Sequence, residues 1–200
     1  MDASDWDSRY AAADLVWSVG PNQFVESECR ELTPGRALDL AAGEGRNAIW
    51  LARRGWQATA VDFSQVALDK GRRVAGDTEL TWACADATTW TSEPVFDLVV
   101  VAYLQLAPPE RRSALRAGLA SVAPGGTLLV VAHDSTNLTE GTGGPQDPAM
   151  LYTAQDVLDD LDGEEFTVDR AERVARTVEP GHGGEPTRTA YDCLVRLRRG

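Results

Sequence analysis

From residue 36 onward, short apolar runs alternate with stretches in which apolar residues recur every three or four positions. The runs read as strands and the stretches as helices. RALDLA (36–41) is a buried strand, and GRNAIWLARRG is the helix that follows, closed by Gly55. WQATAVDF (56–63) is a second strand, with Ser64 as N-cap of the helix QVALDKGRRVAG. ELTWACAD (79–86) and FDLVVVAYL (96–104) are the third and fourth strands. A helix then starts at Pro108 and Pro109 and ends at PGG, before a fifth strand at 126–134. Several of these strands are apolar on both faces, which calls for a mostly parallel sheet with helices on both sides.

The glycine- and proline-rich stretch 135–150 reads as a long loop, and YTAQDVLDDLDG as a helix capped by Thr153. EEFTVDRAERVARTV and TRTAYDCLVRLRR alternate with period two around the turn EPGHGGEP, which predicts a hairpin closing one edge of the sheet. Residues 1–35 hold no strand pattern and read as helices lying over the sheet or its ligand, ahead of a main domain at 36–200.

The 200 residues carry 31 acidic and 19 basic side chains, a net charge of −12. Such a surface repels a polyphosphate backbone, so nucleic acid is not an expected partner. The three cysteines, Cys29, Cys84 and Cys193, are widely spaced and read as buried apolar groups rather than disulfides or metal ligands. MDASDWDSRY does not read as a secretory signal, and LVVVAYLQLA is too short to span a bilayer. The expectation is a cytoplasmic protein, monomeric or homodimeric, with no metal and no membrane partner.

The chemistry concentrates where the first strand hands over to its helix. Gly43 and Gly45 offer bare backbone and access to positive φ, and the helix amides behind them face an electronegative group. Gly43, Gly45 and Ala48 also satisfy the dinucleotide pattern G-x-G-x-x-A, so a nicotinamide-dependent oxidoreductase is one reading. Asp62, 19 residues after Gly43, suits the hydroxyls of a ribose. Asp39, inside the first strand, disfavours a pyrophosphate beside it and favours a ligand with a cationic amino group or sulfonium. The competing structural role for Asp39 is to cap turn amides.

ALDLAAGEGRNAIWLARRGWQATAVDFS resembles the first motif and acidic second-strand end of class I S-adenosylmethionine-dependent methyltransferases. CADATTW, FDLVVVAYLQL and VAPGGTLLVV are similar to that family's later elements, in order and spacing. The resemblance implies a Rossmann-like doubly wound α/β fold with seven strands, mostly parallel with a reversed C-terminal strand. It implies S-adenosylmethionine as cofactor and S-adenosylhomocysteine as product. Asp39, with the backbone of Ala41, Gly43 and Gly45, would hold the methionine end. Asp62 would hold the ribose, Phe63 would stack on the adenine, and Asp86 and Ala87 would meet its edge. Ala102 and Tyr103 would flank the sulfonium. WDSRYAAADLVWSVGPN is similar to small methyltransferases of the tellurite-resistance and thiopurine types, whose N-terminal segment covers the cofactor. That places Trp17 and Tyr10 against the ligand, and points to a small-molecule acceptor with a thiol or other soft nucleophile.

Methyl transfer needs alignment above all. A base is required only where the nucleophile arrives protonated, and His133, at the end of the fifth strand, is the candidate, with His182 second. Gln105 stands where the family often has a histidine and cannot be a base. Arg46 reads as a surface residue or as a partner for an anionic substrate. Asn137, Gln146 and Asp147 in the long loop are candidate acceptor contacts. A non-catalytic cofactor-binding protein on the same fold is the third reading.

Overall fold

The computed structural model describes residues 3–12, 20–93, 95–178 and 187–200. Trp17 and His182 lie outside the described residues, so their expected roles have no structural account. The chain opens with helices α1 (Ala3–Ala11) and α2 (Gln23–Cys29). It continues through β1 (Arg36–Leu40), α3 (Arg46–Arg53), β2 (Gln57–Asp62), α4 (Gln65–Ala75) and β3 (Thr81–Cys84). Then come β4 (Phe96–Ala102), α5 (Pro108–Ser121), β5 (Val122–His133), α6 (Ala154–Asp160), β6 (Phe166–Val178) and β7 (Arg188–Arg199).

The seven strands form one sheet in the order β3-β2-β1-β4-β5-β7-β6. β1 to β5 pair in parallel, with Leu38 beside Thr59 on one side and Val99 on the other. β7 runs antiparallel to both β5 and β6. The architecture is the expected doubly wound α/β sheet with a reversed C-terminal strand.

Alternation along each strand sends side chains to opposite faces. Leu38, Leu40, Val99, Val101, Leu128 and Val130 pack on one side with Leu115, Leu119, Val157 and Leu161 of α5, α6 and the turn after it. Ala37, Leu98, Val100, Leu129 and Val131 pack on the other with Val25, Ala48 and Leu51 of α2 and α3. Leu51 is completely buried, and such burial stabilises by about 1.5–3 kcal/mol per large aliphatic side chain.

Three local expectations change. α5 ends at Ser121 and β5 starts at Val122, four residues before the predicted Gly126, because the 122–126 segment runs extended. Pro124 lacks the amide a helix needs, and Gly125 takes φ +75°. The expected loop 135–150 contains two short 3-10 turns, Ser135–Leu138 and Pro148–Met150, capped by Asp134 and Asp147. Cys84 is exposed rather than buried, at the end of β3, while Cys29 and Cys193 are buried as expected.

Among the described residues no helix is long and apolar enough to cross a membrane. Nor do any three or more of their His, Cys, Asp and Glu side chains cluster as a metal site would require.

Candidate functional site

Since Leu38 and Leu40 take one face of β1, Asp39 must take the other, beneath the first turn of α3. It is 1 % exposed. Its Oδ2 accepts from the Ala48 amide at 3.1 Å, so the turn-capping role is real. Its Oδ1 is buried with no partner. Burial pushes the carboxyl pKa up to about 7, against the pull of the Ala48 amide and the nearby Arg46 charge.

The backbone beyond Asp39 bends through three left-handed residues: Ala41 at φ 65°, Gly43 at 57° and Gly45 at 73°. Ala41 is a non-glycine held in a strained region, a feature that concentrates at functional sites. Composition carried no signal for it. Gly45 turns out to be glycine for a second reason. A Cβ there would sit 2.6 Å from the Trp82 ring of β3, so its bare Cα admits a side chain of the protein itself.

Asp62 ends β2 and accepts from the Gly43 amide through Oδ2 at 2.7 Å and from the Ser64 amide through Oδ1 at 2.9 Å. It thus stitches the glycine turn to the start of α4, and each oxygen retains a lone pair for a further donor. Phe63 beside it is half-buried. Asp86 is exposed, and its Oδ1 closes a turn on the Thr88 amide and hydroxyl, both at 2.7 Å. Ala87 is buried and Ala102, closing β4, is half-buried. All these residues lie at the carboxyl ends of β1 to β4 or on the turns that follow, where open α/β sheets bind ligands.

A second group gathers on the α2 side of the same end. Tyr103 follows β4 with φ 58°, another non-glycine in the left-handed region. Its hydroxyl donates to Asp192 Oδ2 at 2.9 Å and accepts from Asn22 Nδ2 at 3.2 Å. The His133 ring packs against the Tyr103 ring, centroids 4.6 Å apart. Arg46 and Arg176 place their guanidinium carbons 6.0 and 5.9 Å from the Tyr103 centroid, a cation–π arrangement. Arg46 is therefore not a surface residue. Arg176 Nε also donates to Asp192 Oδ2 at 2.7 Å. Burial and the Asp192 charge push the Tyr103 phenol pKa up, so it stays protonated at neutral pH.

Gln105 is a brace. Its Oε1 accepts from the His133 amide at 2.9 Å, and its Nε2 donates to the Met150 carbonyl. Asn137 accepts from the Tyr191 amide at 2.7 Å, tying the long loop to β7, while Gln146 and Asp147 are exposed. At the N-terminus, Tyr10 is buried, its carbonyl accepts from Lys70 of α4, and Asp7 accepts from the Ser64 hydroxyl. α1 therefore packs beside the Asp62 turn.

Sequence reasoning missed Asn22, Arg176 and Asp192. For Asp192 a signal existed: a charged residue inside an apolar alternation, as informative in DCLV as Asp39 is in RALDLAA.

Residues 37–126 match the family described as a methyltransferase domain. The chain is 34% identical over 119 residues to a demethylmenaquinone methyltransferase of Clavibacter sepedonicus, covering 58% of this chain and 47% of that protein. The chain thus spans about half the length of the curated relatives it matches. Among solved structures, one from work on conversion of a disulfide bond into a thioacetal group during echinomycin biosynthesis superposes with a TM-score of 0.77 at 21% identity, covering 98% of this chain and 92% of that one. The N-methyltransferase NodS of Bradyrhizobium japonicum WM9, solved with S-adenosyl-L-homocysteine, gives 0.74 at 19% identity, covering 100% and 99%. The fold is that of the class I methyltransferases.

Proposed function

We propose that this chain, with a methyltransferase domain over residues 37–126, is an S-adenosylmethionine-dependent methyltransferase acting on a small-molecule acceptor. One observation carries the reading. A buried carboxylate, Asp39, keeps one oxygen unpartnered beside a strained glycine turn. An unmatched buried oxygen is costly, and a cationic ligand repays that cost where a pyrophosphate would add to it. This favours the sulfonium nucleoside over the nicotinamide dinucleotide.

Asp39 and the backbone of Ala41, Gly43 and Gly45 would hold the methionine end, Asp62 the ribose, and Phe63, Asp86 and Ala87 the adenine. Ala102 and Tyr103 would border the methyl. When bound, the cofactor supplies a methyl carbon on sulfonium, and the acceptor's lone pair bonds that carbon as the carbon–sulfur pair returns to sulfur. Residues 1–35 serve as the cover, because α1 is tied to α4 beside Asp62 through Lys70 and Ser64. The finer assignment to the tellurite-resistance and thiopurine type, with a soft nucleophile as acceptor, rests on the N-terminal resemblance. The acidic charge favours a small acceptor over nucleic acid, in a cytoplasmic monomer or homodimer.

Calorimetric titration with S-adenosylmethionine tests the reading. Binding at micromolar affinity is expected, and no heat at about 1 mM ligand, an undemanding threshold, overturns it. The oxidoreductase reading predicts binding of a nicotinamide dinucleotide instead. The non-catalytic reading predicts cofactor binding without turnover of thiol, amine or hydroxyl acceptors.

A further inference from the structure

Three side chains, from the turn after β4, from β5 and from β6, converge on one buried carboxylate of β7. Asp192 of β7 is 0 % exposed. Its Oδ2 accepts from Tyr103 Oη and Arg176 Nε. Its Oδ1 lies 3.4 Å from His133 Nδ1, a little beyond a well-formed hydrogen bond. Neither of those two atoms has another partner, and both are buried. Each is thus the other's natural match.

The ring is held by two neighbours. Tyr103 packs on one face, and the long loop closes on it so tightly that a Cβ at Gly144 would sit 2.8 Å from the His133 Cγ. Gln105 fixes the His133 backbone. The imidazole therefore has little freedom to turn its Nδ1 edge away. The side chain is 16 % exposed, and its Nδ1 is fully buried against Asp192.

We propose that Asp192 is a positioning residue of the acceptor site: it holds His133 in the tautomer that carries its proton on Nδ1, leaving the Nε2 lone pair to take a proton from the acceptor. This rests on the methyltransferase reading. The chemistry of the carboxylate compels the tautomer. Burial pushes the Asp192 pKa up, but the His133, Arg176 and Tyr103 donors outweigh it and hold the group below the usual carboxylate range. An ionised carboxylate only accepts, so the nitrogen facing it must donate, and the other is left basic. Tyr103 is excluded from the same duty, because its own proton is committed to Asp192. The acceptor's proton moves to Nε2, giving an imidazolium that Asp192 neutralises, and then passes to water.

Nitrogen-15 labelling of the protein's two histidines, with long-range proton–nitrogen spectra at mildly alkaline pH, reads the tautomer directly and without ligand. His182→Gln assigns the remaining signal. Wild-type His133 is expected as the Nδ1–H form, and Asp192→Asn should abolish that preference. An Nε2–H form in the wild-type, or an unchanged Nδ1–H form in a folded Asp192→Asn variant, overturns the proposal. If Asp192→Asn does not fold, the wild-type spectrum decides alone. Failure to bind S-adenosylmethionine would instead sink the functional reading, and that is measured separately by calorimetry.

Discussion

Asp39 holds its proton up to about pH 7 in the ligand-free fold, and a cationic ligand must displace that proton to use the charge. Binding is then linked to proton release. Affinity for S-adenosylmethionine should fall as pH drops below about 7, by up to about tenfold per unit, and level off above it. Stability of the free protein has the same origin and the opposite sign. The unfolded carboxyl ionises near its ordinary value of 3.8. Stability is therefore lost as pH rises from there towards about 7, and no further loss follows above that. Asp39→Asn should remove both slopes, and titration calorimetry with thermal melts across the range measures them. A second residue-scale test uses the thiols. Burial, aided by the neighbouring Glu28 charge, pushes Cys29 up to about 12, and Cys193 is also buried. Cys84 is exposed and donates to the Phe63 carbonyl. A chromogenic disulfide should titrate one thiol rapidly, and bound S-adenosylmethionine should slow it several-fold. Equal labelling of all three, or no protection, would contradict the placement of Phe63 and Asp86 at the adenine end.

Among the elements, α5 and α6 are joined by a buried ion pair rather than by apolar contact alone. Arg111 Nε meets Asp160 Oδ2 at 2.5 Å, with side chains 7% and 2% exposed, and the guanidinium also stacks on the Tyr152 ring at 4.7 Å. Removing one partner strands the other charge. Asp160→Ala should cost about 3–5 kcal/mol, read as a lower urea midpoint, whereas loss of the exposed Arg30–Glu26 pair should cost at most about 1 kcal/mol. The contact of the glycine turn and α4 with β3 works by the absence of side chains. Gly45 and Gly71 both leave room for Trp82, whose ring a Cβ at either would approach within 2.6 Å. The glycine turn is thereby packed from below by β3 and shaped on its ligand side by Ala41 and Gly43.

At the scale of the whole molecule, the site exists because of strand order. β7 inserts between β5 and β6 with reversed direction. That register sets His133 opposite Asp192, and Asp192 opposite Val174, bringing Arg176 close enough to share its carboxylate. Tyr103 and Asp192 meet across 89 residues of chain. Periodicity determined the element order, the parallel sheet and the terminal hairpin, because a two-residue repeat and a helical repeat leave separate traces in the chain, while the reversed C-terminal strand was implied by the family resemblance. Glycine spacing and the two misplaced aspartates, Asp39 and Asp62, marked the strained turn proposed to hold the cofactor, since the turn and its strands are contiguous. The exposure of Cys84, the strain at Ala41 and Tyr103, and the Asp192 cluster were decided only in three dimensions. Each depends on a neighbour from a distant strand, and the energy of a buried hydrogen bond or a close ring contact has no counterpart in local sequence.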